Sequence, residues 1–338
     1  MLFDRVYRLQ IGKVGQSKGL EIENLRINFS IQKTASKNPN NCKIKIYNLR
    51  ATTRKTIETP GTRCILYAGY KEDVGAMLIF SGAVLYAWTR FDGPNVITEL
   101  DLGDGTQELR DTTISVGYGK NVKSKQVLGD VAKKMGLPLT LAGNAPERTW
   151  KNGLSYYGSA RTLLDKACVG TGLEWSVQNG NLQVLEKGMV TTRQGIEISS
   201  SSGMIGGPES EREEKSEANG KKSSGGESKG KQQDPTKYWN GWKVKTLLMP
   251  MLNPGDRVSL KSKSVEGVFR IEELTHTGDS HEGDWQTELK LVDTAKPIGD
   301  KKATAAQKGG PAPPKERPLP IPPIPPPLPK PFNDGFLA

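Results

Sequence analysis

The sequence predicts a mainly β protein with an α+β insert: two small antiparallel β-barrels flank an α+β domain, and a Pro-rich C-terminal arm follows. Three observations lead there. Apolar residues alternate with period two through residues 20–49, the spacing becomes helical between about 112 and 187, and alternation returns after Trp239.

In the first segment Ile27, Phe29 and Ile31 alternate with Asn28, Ser30 and Gln32. Beyond a turn-prone loop at 36–41, Ile44 and Ile46 alternate with Lys43, Lys45 and Tyr47. Period two sends successive side chains to opposite sheet faces, so these are two half-buried antiparallel strands. The face away from the core carries Arg26, Asn28, Gln32, Lys43 and Lys45, a wall suited to partners or water. Further strands are expected at 6–11, 63–70, 77–90 and 96–102, with the first read as 20–31 and a helical turn at 54–58. Turn signals at Asn38-Pro39-Asn40, Thr59-Pro60-Gly61 and Asp92-Gly93-Pro94-Asn95 separate them. Closing such strands into a barrel removes exposed edges.

Val127, Leu128, Val131, Ala132 and Met135 then fall at helical spacing, with Ser124 as N-cap and Gly136 and Pro138 as the stop. A second helix runs from a Ser159 cap through Leu163, Leu164, Ala167 and Cys168, and that cysteine reads as core. Strands at 173–177 and 182–185 flank Asn179-Gly180, a strong hairpin signal. Residues 209–237, with seven acidic and seven basic side chains among Ser and Gly, have nothing to bury and read as a flexible loop. Strands at 241–247, 257–260, 268–275 and 285–292 build the second barrel. The expected division is 1–111, first barrel; 112–190, α+β domain; 191–208 with 238–297, second barrel; 209–237, loop; 298–338, arm.

The arm holds twelve prolines between 311 and 331. Proline at that density favours polyproline II, and 21 residues at ~3.1 Å each reach ~65 Å. Leu319, Ile321, Ile324 and Leu328 are its apolar teeth, and Phe332, Phe336 and Leu337 its tip. One reading is a solvated linker; the other is an arm gripping a neighbouring subunit, which the two terminal-region Phe favour.

Chemistry is hard to find in this chain. Net charge is +11 over 338 residues, but no basic run interleaves with aromatics, so charge shows electrostatic attraction rather than readout. No stretch approaches the ~18 apolar residues of a membrane span, and the first residues lack a secretory h-region. Three scattered cysteines fit reduced, cytoplasmic synthesis. His276, Asp279, His281 and Asp284 have metal-ligand chemistry, but Gly278 and Gly283 among them argue for a tight strand connection. With no placed nucleophile, calcium loop or phosphate loop, the expectation is no enzyme, cofactor or metal.

Several phrases carry a resemblance: LEIENLRINFSIQKT followed by NNCKIKIYNL, then GTRCILYAGY and IFSGAV, and above all MLNPGDRVSLKSKSVEGVFRIEELTHTGDSHEGDWQTELKLV. Together these resemble phage baseplate (tail) hub proteins over roughly residues 19–295. The resemblance implies a structural homotrimer in the virion, each chain giving two similar tube-like barrels to one ring. That ring would join the six-fold tail tube protein to the three-fold central spike protein. Its channel would pass the tape measure protein and DNA without sequence recognition. Other readings are a spike-complex component of another contractile injection system, a basic nucleic-acid-binding protein, and a cell-wall hydrolase.

Overall fold

A computed structural model describes residues 4–13, 19–58, 62–73, 75–141, 145–214 and 238–293, and side chains throughout these except at 212–214 and 238–240. The chain begins with β1 (Arg5–Lys13), β2 (Leu20–Ile22), β3 (Ile27–Thr34), β4 (Asn40–Tyr47) and the short helix α1 (Ala51–Ile57). Then come β5 (Thr62–Tyr70), β6 (Gly75–Asp92) and β7 (Asn95–Asp104). The strand expected over 20–31 is therefore two strands, broken before Ile27.

The insert holds α2 (Thr106–Asp111), β8 (Thr113–Tyr118), β9 (Val122–Lys123), α3 (Ser124–Met135), β10 (Leu139–Leu141), β11 (Thr149–Trp150) and β12 (Leu154–Ser159). It ends with α4 (Ala160–Cys168), β13 (Leu173–Gln178) and β14 (Asn181–Glu186). The apolar stripes of α3 and α4 are buried in a core of their own with Trp175, Val177 and Leu182. Ser159 caps α4 as expected, accepting from the Thr162 N–H. Ser124 does not cap α3: it is the first helical residue, and its buried Oγ accepts from the Arg148 N–H instead. Asn179 and Gly180 make the β13–β14 turn with φ of 53° and 75°, the left-handed pair that a tight hairpin needs.

The last segment is β15 (Ile196–Ser199), a 3₁₀ turn (Ser200–Ser202), β16 (Met204–Glu214), β17 (Tyr238–Leu247), β18 (Arg257–Lys261), β19 (Glu266–Asp279) and β20 (Trp285–Asp293). The polar stretch read as a loop from residue 209 stays in strand pairing to Glu214. Glu209 and Glu211 lie on a face that needs no apolar residue, so composition hid the strand.

Two closed barrels are not what these strands form. Among the described residues they join one 13-stranded sheet with the path β16-β17-β20-β19-β3-β4-β7-β6-β5-β1-β2, and β18 and β15 branch from β19. Closure gives way because β3 bonds to β19, more than 200 residues away, over seven registered pairs from Glu273–Thr34 to Asp279–Asn28. On either side of this seam lie separate apolar cores, one around Phe29, Ile44, Leu66 and Leu100, the other around Val244, Val258, Ile271 and Leu289.

Candidate assembly surface

Eight strands in a row, from β16 to β6, share one outward face. The period of two fixes its membership: wherever Ile31, Ile44, Leu100 or Leu289 turns into a core, its chain neighbours turn out. From β3 come Asn28, Ser30 and Gln32, and from β4 Lys43 and Lys45, opposite Asp101 and Glu99 of β7. Across the seam Thr275 and Thr277 of β19 stand opposite Gln32 and Ser30. The row continues through Glu288 and Lys290 of β20 and Lys243 and Lys245 of β17 to Glu209 and Glu211 of β16. The polar wall foreseen on one hairpin thus runs unbroken across both halves of the sheet.

Its cations share carboxylates two to one. Lys45 lies 3.8 Å and Arg90 2.8 Å from Glu99, while Lys243 lies 2.8 Å and Lys245 3.9 Å from Glu288. The hydrogen bonds to Glu99 and Glu288 raise the pKa values of Arg90 and Lys243 above their ordinary ranges. Exposed pairs of this kind add little stability; they leave a hydrophilic face with charges of both signs.

The His-x-Gly-Asp phrase lies at the seam, and each residue has a structural task. His276 is buried, with Nδ1 2.9 Å from Thr287 Oγ1, and burial lowers its pKa well below the usual value. Gly278 makes room for Phe29, whose ring a Cβ there would strike. Phe29 in turn meets Trp285 edge-on at 5.3 Å, a contact worth ~1 kcal/mol beyond area burial. Asp279 accepts from Arg26 at 2.8 Å and from the His281 and Glu282 N–H groups. Burial raises its pKa, but these bonds outweigh burial and hold it below the ordinary carboxylate value. His281 sits in the exposed turn beyond, with Nδ1 3.1 Å from Ser280 Oγ. Among the described residues no three His, Cys, Asp or Glu converge as a metal site, and no helix is long and apolar enough to cross a membrane. Cys42, Cys64 and Cys168 are buried free thiols, and burial pushes Cys168 up to about 12.

Sequence reasoning missed the far end of the β6–β7 hairpin as a surface. Phe91 is 75% and Tyr86 62% exposed; Tyr86 stacks on Trp88 at 5.2 Å, and the Arg54 guanidinium lies 5.9 Å over Phe91. Aromatics past position 85 were the available signal, masked because a strand pattern reads them as core. The residues expected to grip a partner, Leu319, Ile321, Ile324, Phe332, Phe336 and Leu337, lie outside the described residues.

Comparison with known proteins points one way. The sequence model for "Baseplate hub gp41" matches residues 9–214. Among solved structures the fold is similar to the 43 kDa tail protein of prophage MuSo2 from Shewanella oneidensis, at 11% identity and TM-score 0.58, covering 85% of this chain and 97% of that one. It is similar to a tail protein from Neisseria meningitidis MC58 at 13% identity and TM-score 0.56, covering 85% and 96%. It is also similar to the E. coli c3393 protein, a component of the type VI secretion system, at 8% identity and TM-score 0.54, covering 87% and 79%. No curated protein matches. With most of its length matched by that family, this chain belongs to the Baseplate hub gp41 family and is a structural protein of the phage tail baseplate.

Proposed function

We propose that the chain assembles as a three-copy ring that adapts the six-fold tail tube to the three-fold spike, its eight-stranded, largely polar face lining the channel. The observation that carries this reading is the unbroken outward face shared by two strand-built halves of one chain. Three copies contribute about 24 strands, above the 16–18 that already leave an aqueous channel in porins. Affinity for DNA rests on cations that neutralise phosphates. On this face Lys45 and Arg90 share Glu99, Lys243 and Lys245 share Glu288, and Asp101, Glu209 and Glu211 add further negative charge, so a polyanion passes without being gripped.

The division into two tube-like domains around an α+β domain belongs to the same proposal, and the three separate cores support it. So do the partners: tail tube, spike and tape measure proteins, with the proline-rich arm holding the spike or a neighbouring hub copy through Phe332, Phe336 and Leu337. Native mass measurement of the purified chain is expected to give the mass of three copies, and a single-copy mass at every concentration refutes the ring. Deleting residues 311–338 is expected to reduce co-purification with the spike; unchanged recovery refutes the arm. A second reading, a spike-complex component of a contractile injection system other than a phage tail, draws on the similarity to c3393. Finding the chain in purified virions decides against it.

A further inference from the structure

The eight-stranded face ends in two open edges. β6 bonds β5 along residues 75–83 and then bulges at Leu85. Past the bulge it keeps β7 on one side, and among the described residues its other side, residues 86–92, bonds to no strand. At the far end of the row, among the described residues, β16 bonds only to β17. Unpaired N–H and C=O groups along such edges are templates for another strand.

What fits there is indicated by a repeat within the sheet. β5, β6 and β7 recur in pairing as β18, β19 and β20. β18 bonds the first part of β19, β19 bulges between Ile271 and Glu273, and β20 follows as the hairpin partner. Seven residues follow each bulge, 86–92 in β6 and 273–279 in β19, but in β19 those seven are occupied by β3. The β3–β4 hairpin likewise recurs as β16–β17. Lys43 of β4 stands opposite Asp101, and Lys243 of β17 opposite Lys290; Asp101 and Lys290 in turn face the first residue after each bulge, Tyr86 and Glu273. Ser30 pairs with Lys43 and Glu209 with Lys243, so Glu209 holds the place of Ser30.

We propose that residues 86–90 of β6 pair antiparallel with residues 209–213 of β16 from a second copy, reproducing between chains the seam seen within one. This rests on the ring reading above and names the surface that closes the ring. The register transfers residue by residue. Thr277 opposite Ser30 within the chain becomes Arg90 opposite Glu209 between chains, and His276 opposite Ile31 becomes Thr89 opposite Ser210. Charge agrees with the transfer: exposed Glu209 meets Arg90, with Arg54 nearby over Phe91. Opposite charges facing each other across strands are favourable, and like charges unfavourable. The contact starts just after the β16 bulge that contains Gly206 and Pro208, so Pro208, which lacks an N–H, lies outside it. Because the two edges differ, the contact is head-to-tail, and it makes a ring when the rotation closes.

The test uses the full chain with Arg90→Glu, Glu209→Arg and the double exchange, followed by native mass across a dilution series. Each single reversal is expected to raise the concentration at which the ring disperses by at least about tenfold, and the double exchange to restore it. Melting of each variant as a dilute single chain checks that the fold survives. A Thr89→Cys/Ser210→Cys chain, in which the three native thiols are buried, is expected to form copy-to-copy disulfides on mild oxidation. A wild-type chain that never exceeds one copy sinks the ring reading itself. A wild-type ring that ignores both reversals and does not cross-link at 89 and 210 sinks the edge pairing alone. Dispersal by the single reversals without rescue by the double overturns the register.

Discussion

Lys33 shows what a single side chain costs at the meeting point of the cores. It stands opposite Leu274 on the inner side of the seam, fully buried, with Nζ 3.1 Å from Asn253 Oδ1. Burial pushes it down to about 8, an effect that the Asp104 charge only partly offsets. Burial pushes Asp104 up to about 6, against the Gly180 and Asn179 N–H groups and the Lys33 charge. Both ions are therefore strained by desolvation, and neither gains enough from the other to compensate. For Lys33 the folded pKa lies below the unfolded one. Between about pH 8 and 10.5 the unfolded chain binds a proton that the folded chain does not, so stability rises with pH across that window. Relative to Lys33→Met, the wild type is expected to gain up to ~3 kcal/mol from pH 8 to 10.5 in urea unfolding. Parallel pH profiles for the two chains count against the lowered pKa of Lys33 in the fold. The alternation that made Ile27, Phe29 and Ile31 readable as core ran on to Lys33 but could not show it buried, because a lysine in that phase is ordinarily solvated at a strand end.

At the scale of elements, the strands and helices whose local pattern decides their fate were legible. These include β3, β4, the stripes of α3 and α4, and the Asn179-Gly180 turn. Elements defined by their partners were not. Nothing in the alternation of β3 specifies β19 as its neighbour, because period two encodes a face and not a mate. The start of β16 was hidden for a related reason: β17 supplies Trp242 and Val244 to the core, and β16 adds an outward acidic row. Edge strands make a further expectation. In dilute single chains, amides of residues 86–92 that face away from β7 are expected to exchange with solvent much faster than those of residues 273–279, whose both sides are bonded. Equal protection in the two stretches is incompatible with an open β6 edge.

For the whole molecule, the motifs that gave the family were visible in the sequence, while the geometry that makes the surface was not. The outward face exists because β3 and β19 join two halves through main-chain bonds, reinforced by Arg26 on Asp279. The insert is held against both halves: Asn40 and Gln178 bond it on one side, and Arg270 and Glu174 on the other. A seam inside the chain also changes the thermodynamics of building a circle. Six loose pieces surrender rigid-body freedom five times on closing, at an estimated 4–15 kcal/mol per event, whereas three double pieces surrender it twice. In the proposed ring, covalent linkage would supply every second joint in advance, and such a circle would withstand dilution that would scatter one built from separate halves.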